Sequence, residues 1–119
     1  MTATDRALEL ARIAGAAAQE KKADAIVAMD VSEHIFITDI FLVCSASNAP
    51  QINAIRDEVE RRMWDAGAKT IRREGEREGR WVRMDYGDIV VHIQHEEERA
   101  FYTLERLWSD CPVVDLGVA

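Results

Sequence analysis

Apolar residues recur along the chain with helical spacing in three segments, and the first of these covers residues 4–22. One face of this segment is apolar and consists of Leu10, Ile13, Ala14 and Ala17. The alanines raise its helix propensity. Because it has few large apolar side chains, we expect this helix to pack at the periphery of the fold.

A second helix is predicted after Asn48, which can cap it with Gln51 as the capping-box partner three residues later. Pro50 falls in the first turn, where its missing N–H does little harm. Gly67 provides a C-terminal stop. The buried stripe of this helix is predicted to consist of Ile52, Ile55, Val59 and Met63.

The third helix begins with acids at residues 96–98, which favour the positive end of the helix dipole, and it ends before Pro112. Phe101, Leu104 and Trp108 recur at the spacing of one helical face, and they are therefore predicted to be buried.

Five further segments have the composition of strands. They read "DAIVAMDV", "HIFITDIFLVCSA", "AKTIRREG", "GRWVRMDY" and "GDIVVHIQH". The second, residues 34–46, is the most apolar, so we expect a strand covered on both faces and interrupted by Thr38 and Asp39. "GEREG" and "DYG" mark tight turns. The order α-β-β-α-β-β-β-α predicts a single α/β (α+β) domain over residues 1–119, with its core at about 6–111 and one mixed sheet of about five strands flanked by helices.

Composition narrows the possible partners. The 119 residues are 48% hydrophobic, which suits one domain, and the formal charge is −7. The basic residues are scattered among acids, as in "RREGEREGR", so direct nucleic-acid binding is disfavoured and a basic protein partner is favoured.

The charged N-terminal segment is neither a signal peptide nor a membrane span. Cys44 and Cys111 lack a CxxC partner and are best explained as structural thiols in a reducing cytoplasm.

The sequence motifs of nucleotide chemistry are missing. The chain contains no GxGxxG, no Gly-Lys pair and no Asp-x-Asp pair that could hold two magnesium ions. Asp85 and Asp88 flank a turn, where carboxylates are usually solvated or bonded to backbone amides. A nucleotidyltransferase-like enzyme that uses these two residues stays an alternative, but we predict no catalytic residue and no cofactor.

The histidines and cysteines do not predict a metal site or a nucleophile. His92 and His95 are three apart on a strand and therefore point to opposite faces, while His34 falls in a turn. Cys44 ends a buried strand and Cys111 precedes a proline, with nothing nearby to activate either thiol.

Recognition chemistry is better represented. On an alternating strand Trp81, Arg83 and Asp85 share one face, and their charges indicate that this face is wet. Tyr86 follows in the turn, so the segment has an aromatic pair flanked by charges, which is typical of a protein-binding hot spot. The alternative, that a neighbouring loop or helix covers Trp81, stays open.

Five stretches carry a resemblance to a known family. "DAIVAMDV", "ITDIFLVCSAS", "REG", "WVRMDYGDIVVHI" and "RAFYTLERLWSD" occur in the order seen in the Iojap family, the ribosomal silencing factors. The resemblance spans roughly Arg6 to Cys111, and "DYGDIVVHI" followed by "FYTLERLW" is its most specific part. It implies a mixed sheet similar to that of nucleotidyltransferases but without their active site.

The resemblance also implies a function. Members of this family bind the fourteenth protein of the large ribosomal subunit (uL-fourteen), block joining of the small subunit and repress translation when nutrients are scarce. It therefore implies a cytoplasmic, non-enzymatic regulator with little direct nucleic-acid contact, no membrane contact and a capacity to form homodimers. A large-subunit assembly factor is the alternative.

The family's partner-facing strand and turn correspond here to Trp81, Asp85, Tyr86 and Asp88. Asp39 in "ITD" and Glu74 in "REG" match further motif positions of the family. The chain departs from the family pattern after "CSAS", where many relatives carry an Arg-Gln pair. It has "NAPQ" at this point, so Pro50 replaces the arginine and any partner contact made by that arginine is in question.

Overall fold

One mixed sheet organises the computed structural model, which describes residues 2–118. Within this range the strands are β1 (Asp24–Asp30), β2 (Ile40–Ala46), β3 (Arg72–Glu74), β4 (Trp81–Asp85), β5 (Ile89–His95) and β6 (Val113–Val114). The helices are α1 (Asp5–Glu20), α2 (Ala49–Asp65), α3 (Glu96–Tyr102) and α4 (Leu104–Leu107). The α/β class is confirmed, and the sheet has six strands rather than about five because β6 follows the last helix.

The strand order is β3-β4-β5-β2-β1-β6. The central pair, β2 and β5, is parallel, in register from Ile40 opposite Ile89 to Ala46 opposite His95. The other neighbouring pairs are antiparallel. Both central strands are buried on both faces over nearly their whole length, which explains their almost continuous apolar sequences.

Helix α1 belongs to the main core, so the expectation that it packs peripherally is wrong. Leu10 and the alanines on its inner face are almost completely buried, whereas Ile13 lies at the margin. Small side chains let the helix backbone approach the sheet and α2 closely, so alanine here indicates close packing rather than a weak contact.

The start of α2 is capped as predicted, with one difference. The Asn48 side chain accepts a hydrogen bond from the Gln51 amide at 2.8 Å. The Gln51 side chain does not complete the capping box; its amide group donates to the carbonyls of Lys21 and Lys22, at 3.3 and 2.9 Å. It therefore ties the start of α2 to the end of α1. The predicted stripe is fully buried, and Gly67 follows the helix with φ +84°.

The strand predicted for residues 34–46 begins only at Ile40. Asp30 turns the chain first, because its carboxylate accepts hydrogen bonds from both the amide and the hydroxyl of Ser32, at 3.0 and 2.6 Å. The residues that follow form a loop whose apolar tip, Phe36 and Ile37, is 97% and 79% exposed. The composition of the segment therefore gave a wrong boundary.

The third predicted helix is broken in two at Thr103, whose φ of +42° ends α3 before α4 begins. Phe101 is 79% exposed, so its predicted burial is wrong. Leu104 and Trp108 are partly buried and pack on the second face of the sheet. Helices α1 and α2 cover the first face, and none of the helices within residues 2–118 is long and apolar enough to cross a membrane.

Gly75 gives a test of the hairpin that joins β3 to β4. It has φ +82°, and a Cβ on it would overlap the Trp81 carbonyl oxygen. Gly79 in the same turn has φ +68° but would meet only ordinary contacts. We expect Gly79→Ala to cost about 1–2 kcal/mol for its left-handed backbone, and Gly75→Ala at least about 3 kcal/mol. Urea unfolding of both variants measures this, and equal losses would contradict the overlap.

Candidate functional site

The outward face of β4 carries the residues that the sequence singled out. Trp81, Arg83 and Asp85 are partly exposed, while Val82 and Met84 between them are fully buried. The predicted alternation is confirmed. Along the strand, Trp81 pairs with Gln94 at one end and Asp85 with Val90 at the other, about 13 Å away.

Trp81 lies under α3 and is in contact with it. Its ring centroid is 4.9 Å from that of Tyr102, which in turn lies 5.0 Å from that of Phe101. Tyr102 is 49% exposed and Phe101 is 79% exposed. We call Trp81, Phe101 and Tyr102 the aromatic patch. A helix covers Trp81 in part, and the three rings still form an accessible surface.

Sequence reasoning missed the two residues of the patch that lie on α3. The helical spacing predicts that Phe101 is part of the buried stripe, and it predicts no role for Tyr102. The signal was available, because neighbouring helical residues are about 100° apart and two adjacent aromatic residues cannot both lie at the centre of one buried stripe.

Tyr86 does not belong to the surface. Only 5% of it is exposed, and its hydroxyl lies 3.9 Å from the sulfur of Met84. Burial raises the pKa of Tyr86, although a hydrogen bond with Thr70 opposes this. The predicted aromatic pair of Trp81 and Tyr86 is therefore wrong, and Tyr102 occupies the place beside Trp81. The backbone amide of Tyr86 donates to the Ile89 carbonyl at 2.9 Å and so fixes the turn.

Three aspartates lie at the end of β4 and immediately before β2 and β5; we call Asp39, Asp85 and Asp88 the acidic end. The Asp85 side chain accepts a hydrogen bond from the Gly87 amide at 2.8 Å, and that of Asp39 accepts one from the Thr4 amide at 3.0 Å. The Asp39 amide donates to the Asp88 carbonyl at 3.0 Å. Asp39 and Asp88 line one shallow cavity together with the loop residues Phe36 and Ile37.

Glu74 lies apart from the acidic end. It lines a groove with Gly75, Trp81 and Arg83. Its carboxylate lies 3.6 Å from the Arg83 guanidinium and 3.0 Å from that of Arg72. The six predicted residues therefore divide into Trp81 and Glu74 at one groove, three aspartates at the acidic end, and Tyr86 in the core.

Behind Trp81 lies His92, which is 5% exposed. Burial lowers the pKa of His92 to about 4, and the nearby Arg83 contributes in the same direction. The Trp81 indole N–H donates to His92 Nδ1 at 3.1 Å, which requires a neutral imidazole. Protonation would place a second N–H against the indole donor. His95 has another role, since its Nδ1 accepts the Glu97 amide at 3.2 Å and caps α3.

A continuous series of ring contacts crosses the second face of the sheet. The ring centroids of Trp81 and His92 are 6.0 Å apart, and those of His92 and Phe41 are 5.1 Å apart. Phe41 and Trp108 follow at 5.7 Å, and Trp108 and His34 at 6.0 Å. The aromatic patch is thereby connected through the interior to the loop after β1.

Comparison with known proteins gives a consistent result. Residues 4–118 match the family model described as "Ribosomal silencing factor during starvation" (RsfS). The chain is 41% identical to the ribosomal silencing factor RsfS of Halalkalibacterium halodurans, over 91% of this chain and 92% of the relative. It is 40% identical to that of Bacillus subtilis, over 88% and 89%. The chloroplast protein Iojap of maize is 32% identical over 84% of this chain and 43% of its own length.

Solved structures are similar over most of their length. A crystal structure of a protein from Chromobacterium violaceum superposes with a TM-score of 0.82 at 29% identity, covering 85% of this chain and 84% of that one. One from Bacillus halodurans has a TM-score of 0.78 at 38% identity, covering 90% and 97%. The similar fold therefore accompanies the similar sequence.

His92 should make the stability of the fold depend on pH. Its pKa is about 4 in the folded chain and about 6.5 when unfolded, so the unfolded chain binds more protons between these values. Its contribution is fully present above pH 6.5 and falls, by up to about 3 kcal/mol, as the pH drops to about 4. His92→Gln keeps an acceptor for Trp81 and does not titrate. Urea unfolding across this range should give a shallower pH dependence for the variant, and identical curves would contradict the assignment.

Proposed function

This chain belongs to the family of ribosomal silencing factors, and we propose on that basis that it binds the large ribosomal subunit and represses translation by preventing the small subunit from joining. The observation that carries the proposal is the match of residues 4–118, nearly the whole chain, to the family model. The relatives in Halalkalibacterium halodurans and Bacillus subtilis carry the name of a silencing factor.

The binding partner in this proposal is ribosomal protein uL-fourteen. A net charge of −7 favours a basic protein surface and disfavours direct contact with ribosomal RNA. The acidic end supplies carboxylates for arginine or lysine side chains of the partner. Such pairs at the rim of an interface mainly set the rate and orientation of association.

The aromatic patch is the proposed centre of the interface. Trp81 is held from behind by His92 and from the side by Tyr102, so little conformational freedom would be lost on binding. Large, rigid aromatic groups surrounded by charges are the groups that most often dominate the energy of a protein interface. Tyr86 would support this surface from within by holding the turn between Asp85 and Asp88.

Exclusion of the small subunit needs no chemical step. The domain measures 37 × 32 × 27 Å. A copy bound on the joining face of the large subunit would therefore hold the two subunits much farther apart than contact distance. In this proposal the protein acts in the cytoplasm under nutrient limitation and is able to form a homodimer. The relatives are named as silencing factors rather than as enzymes, and we expect no catalytic turnover.

Sedimentation of ribosomal subunits with the purified protein tests the proposal. We expect the protein to migrate with the large subunit and to reduce the fraction of joined ribosomes. Absence from the large-subunit fraction together with unchanged joining would refute it.

Two other functions have their own tests. If the protein is an assembly factor, its depletion should cause precursor particles to accumulate in well-fed cells. Saturable magnesium-dependent nucleotide binding, measured by calorimetry, would favour an enzyme.

Truncation of Trp81 tests the centre of the interface. We expect Trp81→Ala to weaken large-subunit binding at least tenfold, about 1.4 kcal/mol, because it removes the best-supported ring of the patch. Phe101→Ala should weaken binding as well, and because Phe101 is 79% exposed, its truncation removes little buried surface from the fold. Trp64→Ala is the matched control, since this 61% exposed tryptophan lies on α2, which covers the other face of the sheet. If all three variants bind the large subunit with the affinity of the wild-type protein, the patch is not part of the interface.

Charge reversal at the acidic end tests its steering role. Asp88 is exposed, and its side chain has no hydrogen bond or ion pair with any other residue from 2 to 118. We expect Asp88→Lys to slow association severalfold at low salt, with the difference shrinking as salt is raised. Asp65→Lys on α2 changes the net charge equally and should have the smaller effect. Association rates measured at two ionic strengths separate the two positions, and indistinguishable rates would contradict the steering role.

A further inference from the structure

The loop after β1 and the segment after α4 bring together three potential metal ligands from distant parts of the sequence. We propose that His34, Asp110 and Cys111 bind a divalent transition-metal ion of the zinc type. Among residues 2–118, these three side chains form a group whose ligand atoms all lie within 4.8 Å of one another, which is close enough to share one metal ion. The site is separate from the aromatic patch and does not rest on the proposed function.

The spacing suits a tetrahedral ion. His34 Nε2 and Asp110 Oδ2 are 3.6 Å apart, and two ligand atoms on tetrahedral zinc are separated by about 3.3–3.7 Å. Bringing the cysteine sulfur to the same distance requires a movement of about 1 Å at most. The side chains of His34 and Asp110 are 42% and 72% exposed, so they are free to make that adjustment.

The backbone around the site is already fixed by hydrogen bonds. The His34 amide donates to the Val31 carbonyl at 2.9 Å, and the Cys111 amide donates to the Trp108 carbonyl at 2.9 Å. The two segments are joined where the Asp30 amide donates to the Pro112 carbonyl at 2.8 Å. Because folding positions the ligands, metal binding needs little ordering of the chain.

The local electrostatics favour a cation. The carboxylates of Asp110, Asp30 and Glu33 all act electrostatically on the position of the Cys111 sulfur. The same negative charges attract a divalent ion. On binding, the ion would displace the thiol proton, which leaves to solvent, and a sulfur–metal bond would form in its place.

The donor set indicates the class of metal. One imidazole nitrogen, one carboxylate oxygen and one thiolate sulfur suit zinc and similar ions, whereas magnesium and calcium take oxygen ligands. Three protein ligands leave a fourth position for water on the exposed side. A bound ion would clamp the loop that carries Phe36 and Ile37 to the C-terminal segment. The sequence analysis predicted no metal site here because His34 lies more than 70 residues before Asp110 and Cys111.

Cobalt(II) provides the probe, because a cobalt–thiolate bond gives near-ultraviolet charge-transfer absorption. We expect this absorption to saturate at one equivalent of cobalt on the reduced full-length protein and to disappear on addition of zinc. Cys111→Ala should abolish the absorption. Cys44→Ala is the matched control, since Cys44 is also a free buried cysteine but lies outside the group, and it should leave the absorption unchanged.

Two further variants keep the test decisive if a cysteine variant does not fold. His34→Ala and Asp110→Asn change exposed side chains and should each weaken cobalt binding at least tenfold. Circular dichroism verifies that each variant is folded. Absence of the charge-transfer band in the wild-type protein, its persistence in Cys111→Ala, or unchanged affinity in both of the other variants would overturn the proposal. None of these results bears on ribosome binding, which the sedimentation experiment measures separately.

Discussion

The parallel pairing of β2 with β5 is the contact on which the other features of the molecule depend. Seven residue pairs hold these strands in register, and both strands are buried on both faces. The pairing places the starts of the two strands side by side, so Asp39 and Asp88, which precede them, lie next to each other. On the other side of β5, its antiparallel pairing with β4 places His92 where it can support Trp81. A slip of one residue would reverse which side chains face α1 and α2.

The distribution of ion pairs explains how an acidic protein can carry many arginines without a basic surface. Arg61 and Arg62 both bond Glu58, while Arg80 bonds Glu97 and Glu98. These pairs neutralise positive charge close to where it arises. At the acidic end, by contrast, Asp39 and Asp85 accept hydrogen bonds from backbone amides, and none of the three carboxylates forms an ion pair with another residue from 2 to 118. Local pairing of this kind supports the proposal that the partner is a basic protein.

Much of the fold could be predicted from local patterns, and the errors have physical causes. The Asn48 cap, the stripe of α2 and the alternation along β4 depend on spacing within a few residues, and all three are confirmed. The direction of Tyr86 was not predictable, because a side chain in a turn has no periodic neighbour to fix its face. Phe101 was misplaced because the left-handed residue Thr103 changes the helix direction after it. The strand boundary failed because Asp30 and Ser32 form a local bond that composition does not reveal.

The series of ring contacts makes the protein optically informative without any label. Trp81 and Trp108 are both members of the series and are separated in it by His92 and Phe41. Trp64 lies on α2, and its ring is close to the Lys69 ammonium group. Emission from the first two depends on how those rings are stacked, and emission from the third depends on solvent and a nearby cation. Intrinsic fluorescence can therefore distinguish events on the second face of the sheet from events on the helical face. The three native tryptophans therefore report on both faces of the sheet.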